Sequence, residues 1–149
     1  MTPRQWLIKN LTDQLRLPTP VVDWLIALYD LIQLFDDVAD GDPVDRQDLN
    51  RVLWDALVAM PQNPFFIKES HQLVPVVATQ VLKWQASDAS EREGRVDAKT
   101  FMWRAGYYDV VLMCVCLVHG PKVATDVSEQ VLRLYGEDMT DYKKEFENA

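Results

Sequence analysis

Proline and glycine divide this chain into stretches of one helix length each, and between them the apolar residues recur with helical rather than strand periodicity. The clearest stretch lies between Leu17-Pro18-Thr19-Pro20 and Gly41-Asp42-Pro43. Inside it Val21, Trp24, Leu25, Leu28, Leu31, Ile32, Phe35 and Val38 follow three-and-four spacing, which places one apolar stripe along a helix. A proline at the first helical position is pre-set for the helix and loses no bond there. The pattern predicts a helix over residues 19–39. The same reasoning predicts helices over 2–15, 45–60, 65–85 with a kink at Pro75, 97–119 and 122–146, and a turn or short helix over 87–95. The third carries Leu49, Val52, Leu53, Ala56, Leu57 and Met60 as its apolar stripe. His119-Gly120-Pro121 is a strong stop signal. No alternating run competes, so the expected fold is all-α, a single-domain bundle of about six helices.

Bulk properties limit the function classes. A chain of 149 residues fits one domain, and 48% apolar residues with five each of Trp, Tyr and Phe supply a core. A net charge of -8 and a pI near 4.6 argue against nucleic acid and anionic membranes as partners. Acidic small molecules such as diphosphates are repelled unless a metal ion reverses the local sign. Cys114 and Cys116 lie in the apolar run VVLMCVCLV without metal-site spacing, and read as core packing. Arg4, Lys9, Asp13 and Arg16 interrupt the first twenty residues, so no signal peptide or membrane insertion is expected and a cytoplasmic location is.

Two acidic clusters carry the chemistry. Asp36-Asp37-Val38-Ala39-Asp40 closes the second predicted helix, where negative charge opposes the macrodipole. On a helix Asp36 and Asp40 stand one turn apart, with Asp37 displaced by about 100°. That geometry suits Mg²⁺, which takes one or two carboxylates, several waters and substrate phosphate oxygens. Asp23, Asp30, Gln33, Asp36, Asp37 and Asp40 also share one arc of the helical wheel, as the solvent side of an amphipathic helix would. The second cluster is Glu137-Asp138-Met139-Thr140-Asp141-Tyr142-Lys143-Lys144-Glu145. Spacing by four predicts that Glu137, Asp141 and Glu145 form one carboxylate stripe on the last helix, with Asp138 beside them. A salt-paired surface with Lys143 and Lys144 is the other reading.

Two acidic helix segments about a hundred residues apart resemble the paired motifs of class I isoprenoid synthases, the trans-prenyl diphosphate synthases and their terpene-cyclase relatives. Asp36-Asp37-Val38-Ala39-Asp40 matches the family's first aspartate-rich motif, and Leu31-Ile32-Gln33-Leu34-Phe35 its apolar approach. The second cluster aligns either as a degenerate aspartate-rich motif or as the cyclase metal motif, and both put Glu137 and Asp141 on the metal. In the family a pair of arginines follows the first motif, and here only Arg46 carries over. Lys99-Thr100 resembles a diphosphate-contacting pair, and Arg104 lies one turn beyond. The resemblance implies the core of the terpenoid synthase fold. It implies Mg²⁺ held by Asp36, Asp37, Asp40, Glu137, Asp138, Asp141 and Glu145. It further implies diphosphate contacted by Arg46, Lys99, Thr100 and Arg104, beside a cavity lined by Trp103, Tyr107 and Tyr108. The chain is about half the common family length, so the implied protein is a minimal relative holding metal and one diphosphate, active or not. No general base is identified and the catalytic residues stay unknown. Two alternatives remain open: a non-enzymatic helical adaptor or phage-type protein whose acids serve solubility, and an all-α nucleotide pyrophosphohydrolase. A small-molecule diphosphate and a homo-oligomer are the partners these readings admit.

Overall fold

The computed structural model describes residues Met1–Glu147, and among them every regular element is helical. Eight helices are formed: α1 Pro3–Lys9, α2 Thr19–Asp40, α3 Arg46–Trp54, α4 Pro64–Arg92, α5 Ala98–Trp103, α6 Tyr107–His119, α7 Pro121–Leu132 and α8 Met139–Glu147. None is long and apolar enough to cross a membrane. By compactness the chain divides into two units, Met1–Ser70 and the described residues from His71 onward.

In the first unit, α1 starts with a reciprocal cap. Thr2 Oγ1 accepts from Gln5 N–H at 3.1 Å, and Gln5 Oε1 accepts from Thr2 N–H at 2.9 Å. A π-turn over Asn10–Gln14 then ends the helix. α2 begins at Thr19-Pro20 and runs one residue past the predicted end, to Asp40. Its stop follows from Gly41, which adopts the left-handed conformation at φ 75°. Gly41 N–H then reaches Val38 C=O and Asp42 N–H reaches Asp37 C=O, satisfying two orphan carbonyls. The predicted helix over 45–60 is realised as α3, a π-turn over Asp55–Ala59 and a final α turn, Met60–Gln62. Leu7, Leu11, Leu25, Leu28 and Val52 are buried in this unit, and Trp24 stacks on Phe66 with centroids 5.7 Å apart. Each aliphatic side chain so buried contributes about 1.5–3 kcal/mol.

The second unit departs further from the periodicity. α4 starts in the first unit, continues through Pro75 and extends to Arg92, absorbing most of the predicted turn. The predicted helix over 97–119 breaks at Arg104-Ala105-Gly106. The helix predicted over 122–146 breaks between Leu132 and Met139. Gly106 has a packing reason: a Cβ there would stand 2.8 Å from Gln80 Cγ and 3.2 Å from Gln80 Cα. α6 packs against α7, and α5 against α8. Aromatic rings tie these pieces together. Phe101 meets Tyr135 and Tyr142 at 5.1 and 5.5 Å, and Tyr107 meets Tyr108 edge-on at 5.2 Å. Tyr107 and Tyr108 thus pack against one another, and Tyr107 is buried. Cys114 is buried, Cys116 is half-buried and both are free thiols, with burial pushing the Cys114 thiol upward.

Candidate functional site

The first acidic motif keeps its helical geometry. α2 carries Asp36, Asp37 and Asp40 in unbroken helix, so Asp36 and Asp40 stand one turn apart as expected. Asp36 and Asp37 are half-buried and Asp40 is exposed. The solvent arc proposed for α2 is wrong at Asp30, which is buried. Arg4 donates to both of its oxygens, Nε to Oδ1 at 2.9 Å and Nη2 to Oδ2 at 3.0 Å. Arg51 Nη1 donates to Oδ2 at 2.7 Å, so one carboxylate fastens α1, α2 and α3. The Asp30 bond raises the Arg4 guanidinium further above its ordinary range. A lone aspartate amid apolar residues was the available signal, but its partners lie 26 and 21 residues away and leave no local pattern.

The second motif is not a helical stripe. Glu137 and Asp138 precede α8, so of the three expected positions only Asp141 and Glu145 share a helix. Asp138 is a cap: its Oδ1 accepts from the N–H groups of Thr140 at 2.7 Å and Asp141 at 3.3 Å. Glu137 Oε2 accepts the Tyr135 hydroxyl at 2.7 Å, and burial followed by this bond raises the Tyr135 phenol. Residues 133–138, Gly136 among them, are not helical, so the helix does not extend N-terminally past Met139. Among the described residues no three His, Cys, Asp or Glu side chains group so as to hold a metal ion.

The expected diphosphate contacts differ in burial. Arg46, at the start of α3, and Lys99, in the first turn of α5, are exposed. Thr100 is buried. Its N–H donates to Asp97 Oδ1 at 3.0 Å, and its Oγ1 accepts from Asp97 N–H at 3.0 Å, forming the cap of α5. Arg104 grips Glu91 with two bonds, one from Nε to Oε2 at 2.6 Å and the other from Nη2 to Oε1. Its guanidinium also lies 5.9 Å from the Trp84 ring centroid. Tyr142 Oη stands 2.6 Å from Glu91 Oε2 and 2.7 Å from Thr100 Oγ1. The single phenol proton goes to the carboxylate, the stronger acceptor. Ser87 Oγ donates to Thr100 C=O at 2.8 Å. Burial, then the Glu91 bond, pushes the Tyr142 phenol up to about 12. The four side chains Glu91, Thr100, Arg104 and Tyr142 thus form one satisfied polar cluster inside the second unit, missed from sequence because they come from three helices and a turn.

A feature of a different kind lies on α3 and its π-turn. The predicted stripe Leu49, Val52, Leu53, Ala56, Leu57, Met60 is buried only at Val52. Leu49, Leu53 and Leu57, one turn apart in series, are 40%, 55% and 69% exposed, and Trp54 beside them is 63% exposed. Phe35 and Val38 on α2 are also exposed, against expectation. Asp42, Asp45 and Asp48, in the turn before α3 and in its first turn, are exposed, and Asp48 pairs with Arg51 at 3.1 Å. Comparison with protein-family models, curated proteins and solved structures finds no match for this chain.

Proposed function

We propose that this chain is a non-enzymatic helical binding module whose α3 surface docks a basic amphipathic helix. The exposed series Leu49, Leu53, Leu57 with Trp54 carries this reading. Large apolar side chains at successive turns of one helix are an unusual surface for a monomer, and such patches mark interaction sites. Asp42 and Asp45 supply the charge that would select a cationic partner, Asp48 being paired with Arg51. The buried Glu91–Arg104–Tyr142 cluster supports the same reading, since two of the four side chains expected on diphosphate, Thr100 and Arg104, are engaged in it. The test uses two labelled model peptides, a Lys/Leu amphipathic helix and its Glu/Leu counterpart. Fluorescence anisotropy should show saturable binding of the first alone, lost in Leu53→Asp/Leu57→Asp with its melting temperature unchanged. Equal binding of both peptides, or unfolding of the double variant, would reject this surface as the site.

A second reading keeps the metal and diphosphate, and the unbroken α2 spacing of Asp36 and Asp40 favours it. Isothermal titration with Mg²⁺ plus pyrophosphate, on the unaltered chain and on Asp36→Asn/Asp40→Asn, separates the two. Binding that depends on both metal and diphosphate and is lost in the variant would establish the second reading.

A further inference from the structure

The last helix of the second unit buries a single side chain. Of the 9 residues of α8 only Tyr142 is buried, at 1% exposed. A helix this short is unstable away from its packing, so the order of α8 depends on that one contact. Upstream, the chain is held at Leu134, which is buried, and at Tyr135, whose ring lies 5.1 Å from Phe101 and 5.9 Å from Tyr108. Between this anchor and α8 the backbone is not helical and passes through Gly136, where it rotates most freely. A hinge at Gly136 followed by a singly fastened helix is the make-up of a segment that opens locally.

The socket that receives Tyr142 is complete without it. With the phenol withdrawn, Glu91 keeps both bonds from Arg104. Thr100 Oγ1 still accepts from Asp97 N–H and still donates to Asp97 C=O, each at 3.0 Å, and Ser87 Oγ still donates to Thr100 C=O at 2.8 Å. Opening therefore strands no buried charge and breaks no helix cap, the two losses that make buried polar groups expensive to separate. What the socket offers is specific. Glu91 Oε2 is a charged acceptor for a hydroxyl, Thr100 Oγ1 stands beside it, and Phe101, its ring 5.5 Å from that of Tyr142, packs against an aromatic body.

We propose that α8 is an autoinhibitory latch: Tyr142 fills a phenol-binding socket made by Glu91, Thr100 and Phe101, and α8 opens about Gly136 to admit the tyrosine side chain of a partner. The internal phenol holds the socket by proximity, so an outside one competes for it only through the open state. The latch lies wholly in the second unit and is independent of the α3 surface.

Native-state amide hydrogen exchange on the full chain tests both halves. The amides of α8 should exchange at least about 100-fold faster, relative to their unstructured rates, than those of α6, which buries five side chains. The α8 rates should also depend little on urea, because local opening exposes little surface, whereas the α6 rates should rise steeply. The competing probe is p-cresol, the tyrosine side chain as a free molecule, and its isomer anisole is the control that lacks the donor. With a Kd of about 1–10 mM for a molecule this small, roughly 10 mM p-cresol should speed α8 exchange about 2–10-fold and leave α6 unchanged. Anisole should have less than half that effect. Tyr142→Phe, which removes only the hydroxyl, should speed α8 exchange about fivefold. The proposal is overturned if α8 and α6 exchange together with the same urea dependence, if p-cresol leaves α8 unchanged, or if anisole matches p-cresol.

Discussion

Glu91→Gln should be among the most destabilising conservative substitutions in this chain. The glutamine keeps the volume but replaces a carboxylate oxygen with an amide group that opposes the donors aimed at it. Those donors are Arg104 Nε and Tyr142 Oη, both at 2.6 Å, and Arg104 Nη2 on the other oxygen. The Glu91 side chain is 3% exposed and that of Arg104 is 13%, so solvent cannot replace the lost partner. Breaking one side of a buried ion pair costs about 3–5 kcal/mol, because the surviving charge stays buried. The residual exposure of Arg104 places the expected loss near the lower end, about 3 kcal/mol. For a chain of this length that lowers Tm by about 6–12 °C. Urea unfolding gives the free energy and calorimetry the Tm. Glu91→Leu/Arg104→Met is the companion: with both charges gone it should lose less than Glu91→Gln alone. A loss below about 1 kcal/mol for Glu91→Gln, or a double variant worse than the sum of its singles, would refute the reasoning.

Three further outcomes are expected. Alkaline pH should destabilise the fold through Tyr142, whose phenol is raised from about 10 to about 12. Its contribution is complete below pH 10 and falls by about 1.4 kcal/mol per pH unit as the unfolded chain loses a proton that the folded chain keeps. Chemical denaturation between pH 9 and 12 checks this as orders of pH, and Tyr142→Phe should flatten the decline. Gly106→Ala should cost about 1–3 kcal/mol, since the new Cβ meets Gln80 at 2.8 Å, read by thermal melting. Asp30→Asn should cost about 1–3 kcal/mol by urea unfolding, moderated because Arg4 and Arg51 are each 43% exposed.

Helix content was legible because α2 writes both of its ends into the sequence, Pro20 at the start and Gly41 at the stop. Local periodicity failed where a tertiary contact set the backbone. The break before α6 depends on Gly106 lying against Gln80, far away in sequence. The break before α8 was signalled by Gly136, which the strong four-residue spacing of the acids overrode. The spacing gave no sign that Asp138 caps α8, while Asp30 looked like solvent surface and is buried. Carboxylate spacing alone carries no information about which cation, backbone amide or metal answers it. Exposure of Leu53 and Leu57 was equally unreadable, since an amphipathic stripe has the same pattern whether its partner is in the chain or outside it.

The π-turn after α3 also acts as a length adjuster. The segment runs antiparallel to α2 and is pinned to it twice, by Arg51 on Asp30 and by Asn63 on Pro20. Along α2 those anchors span about 15 Å, whereas an uninterrupted α-helix from Arg51 to Asn63 would rise about 18 Å. A turn closed by i→i+5 bonds packs more residues into each turn and takes up the excess. Deleting one residue from Asp55–Ala59 would restore α geometry and keep Asn63 on Pro20, whereas inserting one would turn Asn63 by about 100°, away from Pro20 and from the first amides of α4. Single-residue insertions should therefore be tolerated poorly between these anchors and readily in the exposed turn at Gly41-Asp42-Pro43 just outside them.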